Sequence, residues 1–243
     1  MTKKTVTTLL TATLALSVLA PSAFADSAVY SSNAKVTFEA TTDPTAPIDP
    51  DNPDNPAPSK PENPDGTDPN PGTAGPLSID FASSLDFGTQ KIASTDQTYT
   101  AAAQKFADGH TGSNYVQVTD NRGTDAGWNL SVKQLGQFND GKNDLTGATM
   151  TFNNANLVAS SSTTAGTPGK LSPKFTLTPG VSKSIVDAAA NQGRGTWVDR
   201  FGDDKSADSS ISLAVPGATT KRAAAYTSTL EWTLAERPAG SVD

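Results

Sequence analysis

Short segments of alternating apolar and polar residues recur between residues 77 and 236, and they constrain the fold more than any other feature of the chain. Alternation with a period of two places the apolar side chains on one face of a β-strand. Gly, Asn, Asp and Pro residues lie between the segments and are typical of tight turns. Many short strands joined by such turns predict one all-β domain over residues 77–236, an antiparallel β-sandwich or barrel-like fold. The segments are 77–81, 85–87, 115–118, 128–132, 175–177, 211–215 and 230–234.

Residues 181–193 carry mixed signals for secondary structure. Their run of alanines favours a helix. The adjacent Ile185 and Val186 are β-branched and favour a strand. The sequence alone leaves both assignments open.

The first 25 residues have the features of an export signal. Two lysines give the positive start, residues 9–20 form a short apolar stretch, and Ala23 and Ala25 make a small-x-small cleavage site. The apolar stretch contains threonine and is shorter than the roughly 20 residues that span a bilayer. We therefore expect residues 1–25 to be removed and the exported, mature chain to begin near Asp26.

The chain contains no cysteine, so it has no disulfides or thiolate metal sites, and its fold depends on an ordinary hydrophobic core. Its net charge is −7, and no cluster of Lys and Arg forms the basic patch typical of nucleic-acid binding. No segment after the export signal is long and apolar enough to cross a membrane. The C-terminal tail, residues 237–243, has neither the hydrophobic stretch nor the basic stop of a covalent sorting signal. We therefore expect attachment to a surface to be non-covalent.

Residues 41–76 form an acidic segment rich in Pro, Asp and Asn. They hold eleven of the seventeen prolines, seven acidic residues and one basic residue, and Ile48 is their one candidate core residue. Such a segment buries too little apolar surface to offset its ordering entropy, which predicts a disordered or extended linker or loop. Upstream, within residues 26–40, Val36 and Phe38 alternate with polar residues and predict one short strand. The sequence leaves open whether this strand docks on the main domain.

Two of the three tryptophans occur in the same tripeptide, Trp-x-Leu. Trp128 and Leu130 form the first pair, and Trp232 and Leu234 form the second. In each pair the two side chains are two residues apart and point to the same face of a strand. We expect these tryptophans, and Trp197, to lie in the core. The alternative, an exposed aromatic platform for a glycan or a partner protein, stays open.

Four longer blocks of the chain, taken in order, resemble the WxL domain. They are "GPLSIDFASSLDFG" (75–88), "VQVTDNRGTDAGWNLSV" (116–132), "GRGTWVDRFG" (193–202) and "YTSTLEWTL" (226–234). The resemblance covers residues 75–236, and the export signal followed by an acidic linker resembles the small WxL proteins. It implies a surface protein of Gram-positive bacteria that attaches non-covalently to peptidoglycan, often in a complex with membrane-tethered WxL-interacting proteins. It does not imply an enzyme.

The residues themselves indicate no catalytic site. Nucleophilic catalysis by Ser needs a nearby base, and the single histidine, His110, lies in a loop-like stretch. A glycosidase would need two paired carboxylates, and no spacing singles out a pair among Asp120, Asp125, Asp199, Asp203 and Asp204. Residues 139–144, "NDGKND", lack the closing glutamate of a calcium loop, so a turn is favoured. We expect no enzyme activity, no cofactor and no bound metal.

Two polar loops are the candidate contact sites beside the predicted strands. In the first, Asp and Asn can bond their own backbone, which favours a structural turn. Arg122 suits either a carboxylate that fixes this turn or a wall polymer. The candidate residues are Asp120, Asn121, Arg122 and Asp125 in the first loop, and Arg194, Arg200 and Asp203 in the second.

We therefore expect a secreted cell-surface protein that attaches non-covalently to the cell wall, with peptidoglycan or another wall polymer as its ligand. The alternative is a structural subunit that binds a membrane-tethered WxL-interacting protein and touches peptidoglycan only indirectly. An exposed strand edge, open to a partner's strand, would favour the alternative. Because the chain is acidic, we expect anionic wall polymers to repel it at long range. We expect neither nucleic acid as a partner nor a membrane span in the mature chain.

Overall fold

The computed structural model of the chain describes residues 28–55, 58–161, 163 and 166–237. The chain divides into two compact units, residues 1–38 and residues 39–243. In the first unit, the described residues 28–38 contain no strand. The short strand expected around Val36 and Phe38 is not formed, and these side chains are 72% and 90% exposed.

The second unit is built entirely from β-strands and turns, and its described residues contain no helix. Every strand pair is antiparallel. These observations confirm the predicted all-β fold. The strands are β1 (Pro61–Glu62), β2 (Leu77–Ala82), β3 (Gln97–Thr100), β4 (Gln104–Phe106), β5 (Thr111–Gly112), β6 (Asn114–Asp120), β7 (Trp128–Gln134), β8 (Thr149–Phe152), β9 (Ala155–Val158), β10 (Lys170–Leu171), β11 (Phe175–Thr176), β12 (Ser182–Ala188), β13 (Gly195–Phe201), β14 (Ile211–Val215) and β15 (Leu230–Glu236).

Three four-stranded sheets and one small sheet make up this unit. Sheet I has the order β2-β6-β13-β9, sheet II β10-β12-β7-β15, sheet III β11-β8-β14-β3, and the small sheet IV β1-β4-β5. Edge strand β15 of sheet II contacts β2 of sheet I, and β10 contacts β9. The small sheets are arranged in a ring and share one large hydrophobic core.

The core is one large cluster of buried apolar side chains to which sheets I, II and III all contribute. Three phenylalanines form its most compact aromatic group. Phe152 stacks on Phe175 with ring centroids 4.8 Å apart, and Phe201 meets Phe152 edge-on at 4.9 Å. Aromatic pairs at such distances add about 0.5–1.5 kcal/mol beyond the area that they bury.

The structure decides the secondary structure of two segments, residues 182–188 and 85–87, whose apolar side chains pack in this core. Residues 182–188 are strand β12, in which Ile185 and Val186 are 2% and 1% exposed. The pairing of β12 with β7 is irregular between residues 184 and 186, so both β-branched neighbours can be buried. The strand predicted at 85–87 is wrong, because Leu85 and Phe87 pack against the core from a loop.

The proline-rich segment is part of the second unit and packs against sheet I, so of the two alternatives that the sequence allowed, a disordered and an extended segment, the structure shows the extended one. We call residues 44–75, in their described parts, the strap. Ile48 packs against a second hydrophobic cluster formed by Phe81, Phe106, Tyr115 and Val198. The backbone N–H of Ile48 also donates a hydrogen bond to Gln117 Oε1 at 2.7 Å. The strap thus supplies a covering layer for sheet I.

The strap explains why strand β6 is buried at all seven of its positions. Val116 and Val118 point into the main core, while Tyr115 and Gln117 point to the strap side. Gln117 Nε2 donates a hydrogen bond to the carbonyl of Ala46 at 3.0 Å. Further along, strand β1 of the strap pairs with β4. A segment with one large aliphatic side chain is therefore held mainly by backbone hydrogen bonds and polar side chains.

Candidate functional site: the second Trp-x-Leu strand and its clefts

The first Trp-x-Leu pair belongs to the core. Trp128 and Leu130 lie on β7 and are 0% and 1% exposed. The indole Nε1 of Trp128 donates a hydrogen bond to the carbonyl of Gly193 at 2.9 Å. Gly193 has a φ of +74°, and a Cβ atom there would lie 2.5 Å from Trp128 Nε1. This tryptophan has no surface left for a ligand.

The second Trp-x-Leu pair lies on the neighbouring strand, β15, directly beside the first. Leu234 pairs with Leu130 across the two strands, and Trp232 pairs with Val132. Trp232 and Leu234 are half-buried and pack on the margin of the core. The expectation that both tryptophans are core residues therefore applies fully to Trp128 and only partly to Trp232.

Strand β15 is an edge strand of sheet II and pairs only with β7 among the described strands. The hydrogen bond from Leu135 N–H to the Thr229 carbonyl shows that odd-numbered residues of β15 bond to β7. The backbone groups of Leu230, Trp232 and Leu234 therefore point away from β7, toward the open edge. The second Trp-x-Leu pair presents both its half-buried side chains and its outward-pointing backbone groups at one border of the sheet.

A cleft of about 410 Å³, here called cleft 1, opens beside this strand. Trp232 and Leu230 form one wall, and residues of β2 and of the end of the strap form the other. Its lining combines aromatic, aliphatic and amide or hydroxyl side chains, which suits a polar ligand that has apolar faces. The principal lining residues are Asn70, Thr73, Ile79, Phe87, Ser228, Leu230 and Trp232.

A second cleft of about 920 Å³, cleft 2, continues from cleft 1. The two clefts share Leu85, Phe87, Phe138 and Ser228 in their linings. Cleft 2 runs between two loop segments, residues 85–92 and 221–228, and reaches the core-facing side of strands β3 and β14 of sheet III. Its lining is mostly apolar, with Leu85, Phe87, Ile92, Tyr99, Leu145, Leu213 and Tyr226 as the larger side chains.

The predicted loop residues Asp120 and Arg122 form a structural clamp. Arg122 Nε and Nη2 lie 2.9 and 2.7 Å from the two carboxylate oxygens of Asp120, and Nη2 also donates to the Gly127 carbonyl at 2.8 Å. The hydrogen bond to Asp120 raises the pKa of Arg122 above its usual value. Arg122 Nη1 lies 3.2 Å from Glu236 Oε2 at the end of β15. Asn121 lies in the same turn, where its N–H donates to the Pro76 carbonyl.

The structure brings two other predicted residues together. Arg194 Nε lies 2.8 Å from Asp125 Oδ1, although the two residues belong to different loops. Asp125 adopts a φ of +56°, and its carbonyl accepts a hydrogen bond from Asn191 N–H. This partly exposed pair fixes the two loops beside the indole of Trp128.

Arg200 and Asp203 are not part of either cleft. Arg200 Nη1 lies 2.8 Å from Asp51 Oδ1 and binds the strap. Asp203 Oδ1 accepts hydrogen bonds from Ser206 Oγ and Lys205 N–H in a local turn, and the Ser206 bond lowers the pKa of Asp203. Both residues thus have structural partners.

Two buried aspartates flank strand β6, and within the described part of the chain only one has hydrogen-bond partners. Asp80 accepts hydrogen bonds from Ser78, Gln117 and Thr119, yet desolvation raises its pKa. Asp199 is 2% exposed, faces the main core, and neither carboxylate oxygen has a hydrogen-bond partner among the described residues. Burial raises the pKa of Asp199 well above its ordinary value.

His110 lies beside the strap and is occupied by neighbours. Its ring stacks on Phe106 with centroids 4.1 Å apart, and Nδ1 lies 2.6 Å from Asp108 Oδ1. Across the part of the chain that the structure describes, no group of three or more His, Cys, Asp or Glu side chains is arranged to hold a metal ion. The same part contains no helix that is long and apolar enough to cross a membrane.

Sequence reasoning missed the clefts, because their walls come from loops. Phe87 and Phe138 meet edge-on at 6.1 Å between the two clefts, although they are 51 residues apart in sequence. Asp51 of the strap was also missed, since it is one of several similar aspartates in a repetitive stretch. The one available signal was the pair of apolar residues Leu85 and Phe87 in "LDFG" at 85–88.

Comparison with known proteins identifies the chain. A family model described as "WxL domain surface cell wall-binding" matches residues 25–238, which is most of the chain. We find no matching curated protein and no matching solved structure. The resemblance noted in the sequence is confirmed, and the protein belongs to the WxL domain family of surface cell wall-binding proteins.

Proposed function

We propose that this protein is exported and attaches non-covalently to the peptidoglycan of the cell wall through cleft 1. The observation that supports this site is that the half-buried Trp232 lines cleft 1. The protein also belongs to a family of cell wall-binding proteins. Its companion, Trp128, is buried and unavailable. The second Trp-x-Leu strand thus offers the accessible tryptophan at a concave surface.

The chemistry of cleft 1 suits a neutral glycan. A sugar ring has apolar C–H faces that pack on an aromatic ring, and hydroxyl and amide groups that bond to polar side chains. Trp232 supplies the ring, and Asn70, Thr73 and Ser228 supply polar groups. The net charge of −7 disfavours anionic wall polymers at long range, which leaves the glycan strands of peptidoglycan as the better ligand.

Co-sedimentation of the mature protein, residues 26–243, with purified peptidoglycan tests this proposal. We expect Trp232→Ala to remain folded and to lose at least tenfold in binding, which corresponds to about 1.4 kcal/mol. Thr233→Ala is the matched control, because Thr233 is adjacent and exposed but faces the other side of β15. Unchanged binding by a folded Trp232→Ala variant would exclude cleft 1 as the wall site.

We also propose that the protein binds the wall without cleaving it. The family is a cell wall-binding family. His110 is stacked on Phe106 and bonded to Asp108, and Asp199 lies in the core, so neither group is presented in a cleft. Incubation with labelled peptidoglycan is expected to release no soluble fragments, and time-dependent release would overturn this part of the proposal.

A second candidate function is that of a subunit in a surface complex with a membrane-tethered WxL-interacting protein. Cleft 2 favours it, because the cleft is large and mostly apolar and Ile92 at its rim is 60% exposed. Protein partners fill such grooves with apolar side chains. Ile92→Asp is expected to weaken binding to such a partner and to leave peptidoglycan binding intact. Trp232→Ala is expected to weaken peptidoglycan binding and to leave binding to the partner intact.

A further inference from the structure

We propose that the strap is a functional half of cleft 1, so that peptidoglycan binds only while residues 63–73 of the strap are held against β2. This inference rests on the proposed function, which places the wall ligand in cleft 1. It concerns a feature that a covering layer alone leaves unexplained. Residues 63–73 are anchored to the β2 region at both ends, and residues between the anchors line the cleft.

Five consecutive residues of the strap line the same cleft as Trp232. They are residues 69–73, "PNPGT". Pro69 and Pro71 contribute apolar rings, and Asn70 contributes an amide. Proline fixes its own φ near −65°, so this stretch is stiff. A ligand that fills cleft 1 would therefore contact sheet II and a stiff part of the strap at the same time.

The C-terminal anchor of this stretch is a direct contact with strand β2. Thr73 N–H donates a hydrogen bond to the Ile79 carbonyl at 2.8 Å, and Ile79 N–H donates to Thr73 Oγ1 at 2.8 Å. Gly72 lies so close to β2 that a Cβ atom there would be 2.8 Å from the carbonyl oxygen of Asp80. A larger residue at this position would push the strap away from β2. The position of this wall of the cleft is therefore set by the fold before a ligand arrives.

The N-terminal anchor is centred on Asn63. Its Oδ1 accepts a hydrogen bond from Ser84 Oγ at 3.0 Å, and its Nδ2 donates to the Asp68 carbonyl at 2.9 Å. The neighbouring carbonyl of Glu62 accepts a hydrogen bond from the buried Gln104 Nε2 at 2.7 Å. Gln104 is not among the residues that line cleft 1. The start of the wall is thus fixed in part by a side chain that lies outside the ligand site.

Ligand binding and attachment of the strap are therefore linked. A ligand that contacts only the attached strap stabilises the attachment by the same free energy that the attachment adds to binding. The ligand should then slow hydrogen exchange at amides that the strap protects outside cleft 1. Two such amides are Ala107 N–H, which donates to the Lys60 carbonyl at 2.9 Å, and Ile48 N–H, which donates to Gln117.

Co-sedimentation of the mature protein with purified peptidoglycan tests the role of the strap. We expect Gly72→Ala to displace the wall and to weaken binding about fivefold or more. Gly217→Ala is the matched control, because its Cβ atom would clash with the Ser94 carbonyl, while Gly217 lies outside the strap and outside the lining of cleft 1. Neither glycine has a φ in the left-handed region, so both variants carry a clash without that strain. Thermal unfolding shows that each variant is folded.

Gln104→Leu is a second variant, because it keeps the size of the side chain and removes the anchor of Glu62 without changing a residue of cleft 1. We expect it to weaken binding as well. If Trp232→Ala loses binding while folded Gly72→Ala and Gln104→Leu bind like the wild type, cleft 1 is the wall site and the role of the strap is overturned. If Trp232→Ala binds normally, the proposed function itself fails.

Hydrogen exchange gives a readout that a purely structural strap would not change. Soluble glycan fragments, released from peptidoglycan by a muramidase, are added to the wild-type protein. We expect slower exchange at Ala107 and Ile48 and no change at Gly193, whose N–H bonds to the Gly166 carbonyl away from the strap. Fragments that bind through Trp232 and leave exchange at Ala107 and Ile48 unchanged would overturn the inference.

Discussion

Asp51 of the strap and Arg200 of β13 form an ion pair in which Oδ1 lies 2.8 Å from Nη1. The same carboxylate accepts hydrogen bonds from Ser113 N–H at 2.7 Å and Ser113 Oγ at 2.8 Å. Both charged side chains are about four-fifths buried, with 18% and 20% exposure. One aspartate therefore joins the strap to strand β13 and to the backbone at the start of β6.

Replacement of this aspartate is expected to destabilise the whole domain. Asp51→Ala leaves Arg200 and Ser113 without their partner, and hydrogen bonds to charged groups contribute about 1.5–3 kcal/mol. We expect urea denaturation to show a loss in that range, with one cooperative transition. Asp43→Ala is the control, because Asp43 is exposed and its N–H bonds only locally, to Thr41. Equal stability of the two variants would mean that the contacts of Asp51 contribute nothing to the stability of the domain.

The two Trp-x-Leu tryptophans are expected to differ in their effect on stability. Trp128→Ala removes a fully buried side chain and its hydrogen bond to Gly193, and such truncations cost about 3–5 kcal/mol. Trp232→Ala removes a half-buried side chain from an edge strand, so its cost is expected to be less than half of that. Thermal and urea unfolding measure both costs, and similar values would contradict the different roles that we assign.

The close approach between Gly193 and Trp128 gives a sharper test of the core. Gly193→Ala places a Cβ atom 2.5 Å from the indole Nε1, at a φ of +74°. Gly123→Ala is a matched control, because Gly123 has a φ of +70° and a Cβ atom added there would have no neighbour within 4 Å. Both variants carry backbone strain, and only the first carries the clash. We expect Gly193→Ala to lose about 1–3 kcal/mol more than Gly123→Ala in urea denaturation.

The buried Asp199 is expected to make the domain less stable as pH rises. Its pKa is raised by burial, so the folded protein keeps the carboxyl neutral while the unfolded chain loses the proton above about pH 4. The free energy of unfolding therefore falls as pH rises from about 4 toward the raised pKa, by up to about 1.4 kcal/mol per unit of pH. Below about pH 4 both states are protonated, and this effect is absent.

Asp199→Asn isolates this effect, because an asparagine stays neutral at every pH. We expect the stability of the variant relative to the wild type to increase with pH above about 4. Asp80 also has a raised pKa, but it is present in both proteins and cancels in the difference. A difference that is independent of pH between about 4 and 7 would show that Asp199 does not carry a raised pKa.

Much of the fold could be predicted because the alternation directly reports which face of a strand is buried. Val116 and Val118, or Leu130 and Val132, alternate with polar residues in sequence and point into the core in the structure. The strand at 85–87 was predicted wrongly because alternation reports burial of Leu85 and Phe87 and does not reveal that their backbone lies in a loop.

The strap could not be predicted, because composition measures apolar content and the strap is held by polar contacts. Ile48 is its only large aliphatic residue, and the remaining attachment comes from groups such as Asp51 and from backbone bonds to Gln117. Such pairing depends on residues about 70 to 150 positions away, and nothing in a local pattern identifies them.

The candidate site was predicted in part. The resemblance to the WxL domain gave the wall-binding family, and the Trp-x-Leu pairs marked the two adjacent strands. The spacing of each pair is identical, so the sequence could not show that Trp128 is buried and Trp232 lies at an open edge. That difference arises from strand order, because β7 has neighbours on both sides and β15 on one.

The strap, packed against sheet I, also affects how well the protein resists proteases at a cell surface. Proteases cut polypeptide that is extended, accessible and free to enter the active-site groove of the protease. A detached strap of this length would meet these conditions. In this protein the strap is bound along sheet I through its backbone and through Asp51, so the strap must detach before it can be cleaved. The contacts that hold the strap thus shield the segment that would otherwise be the first to be digested.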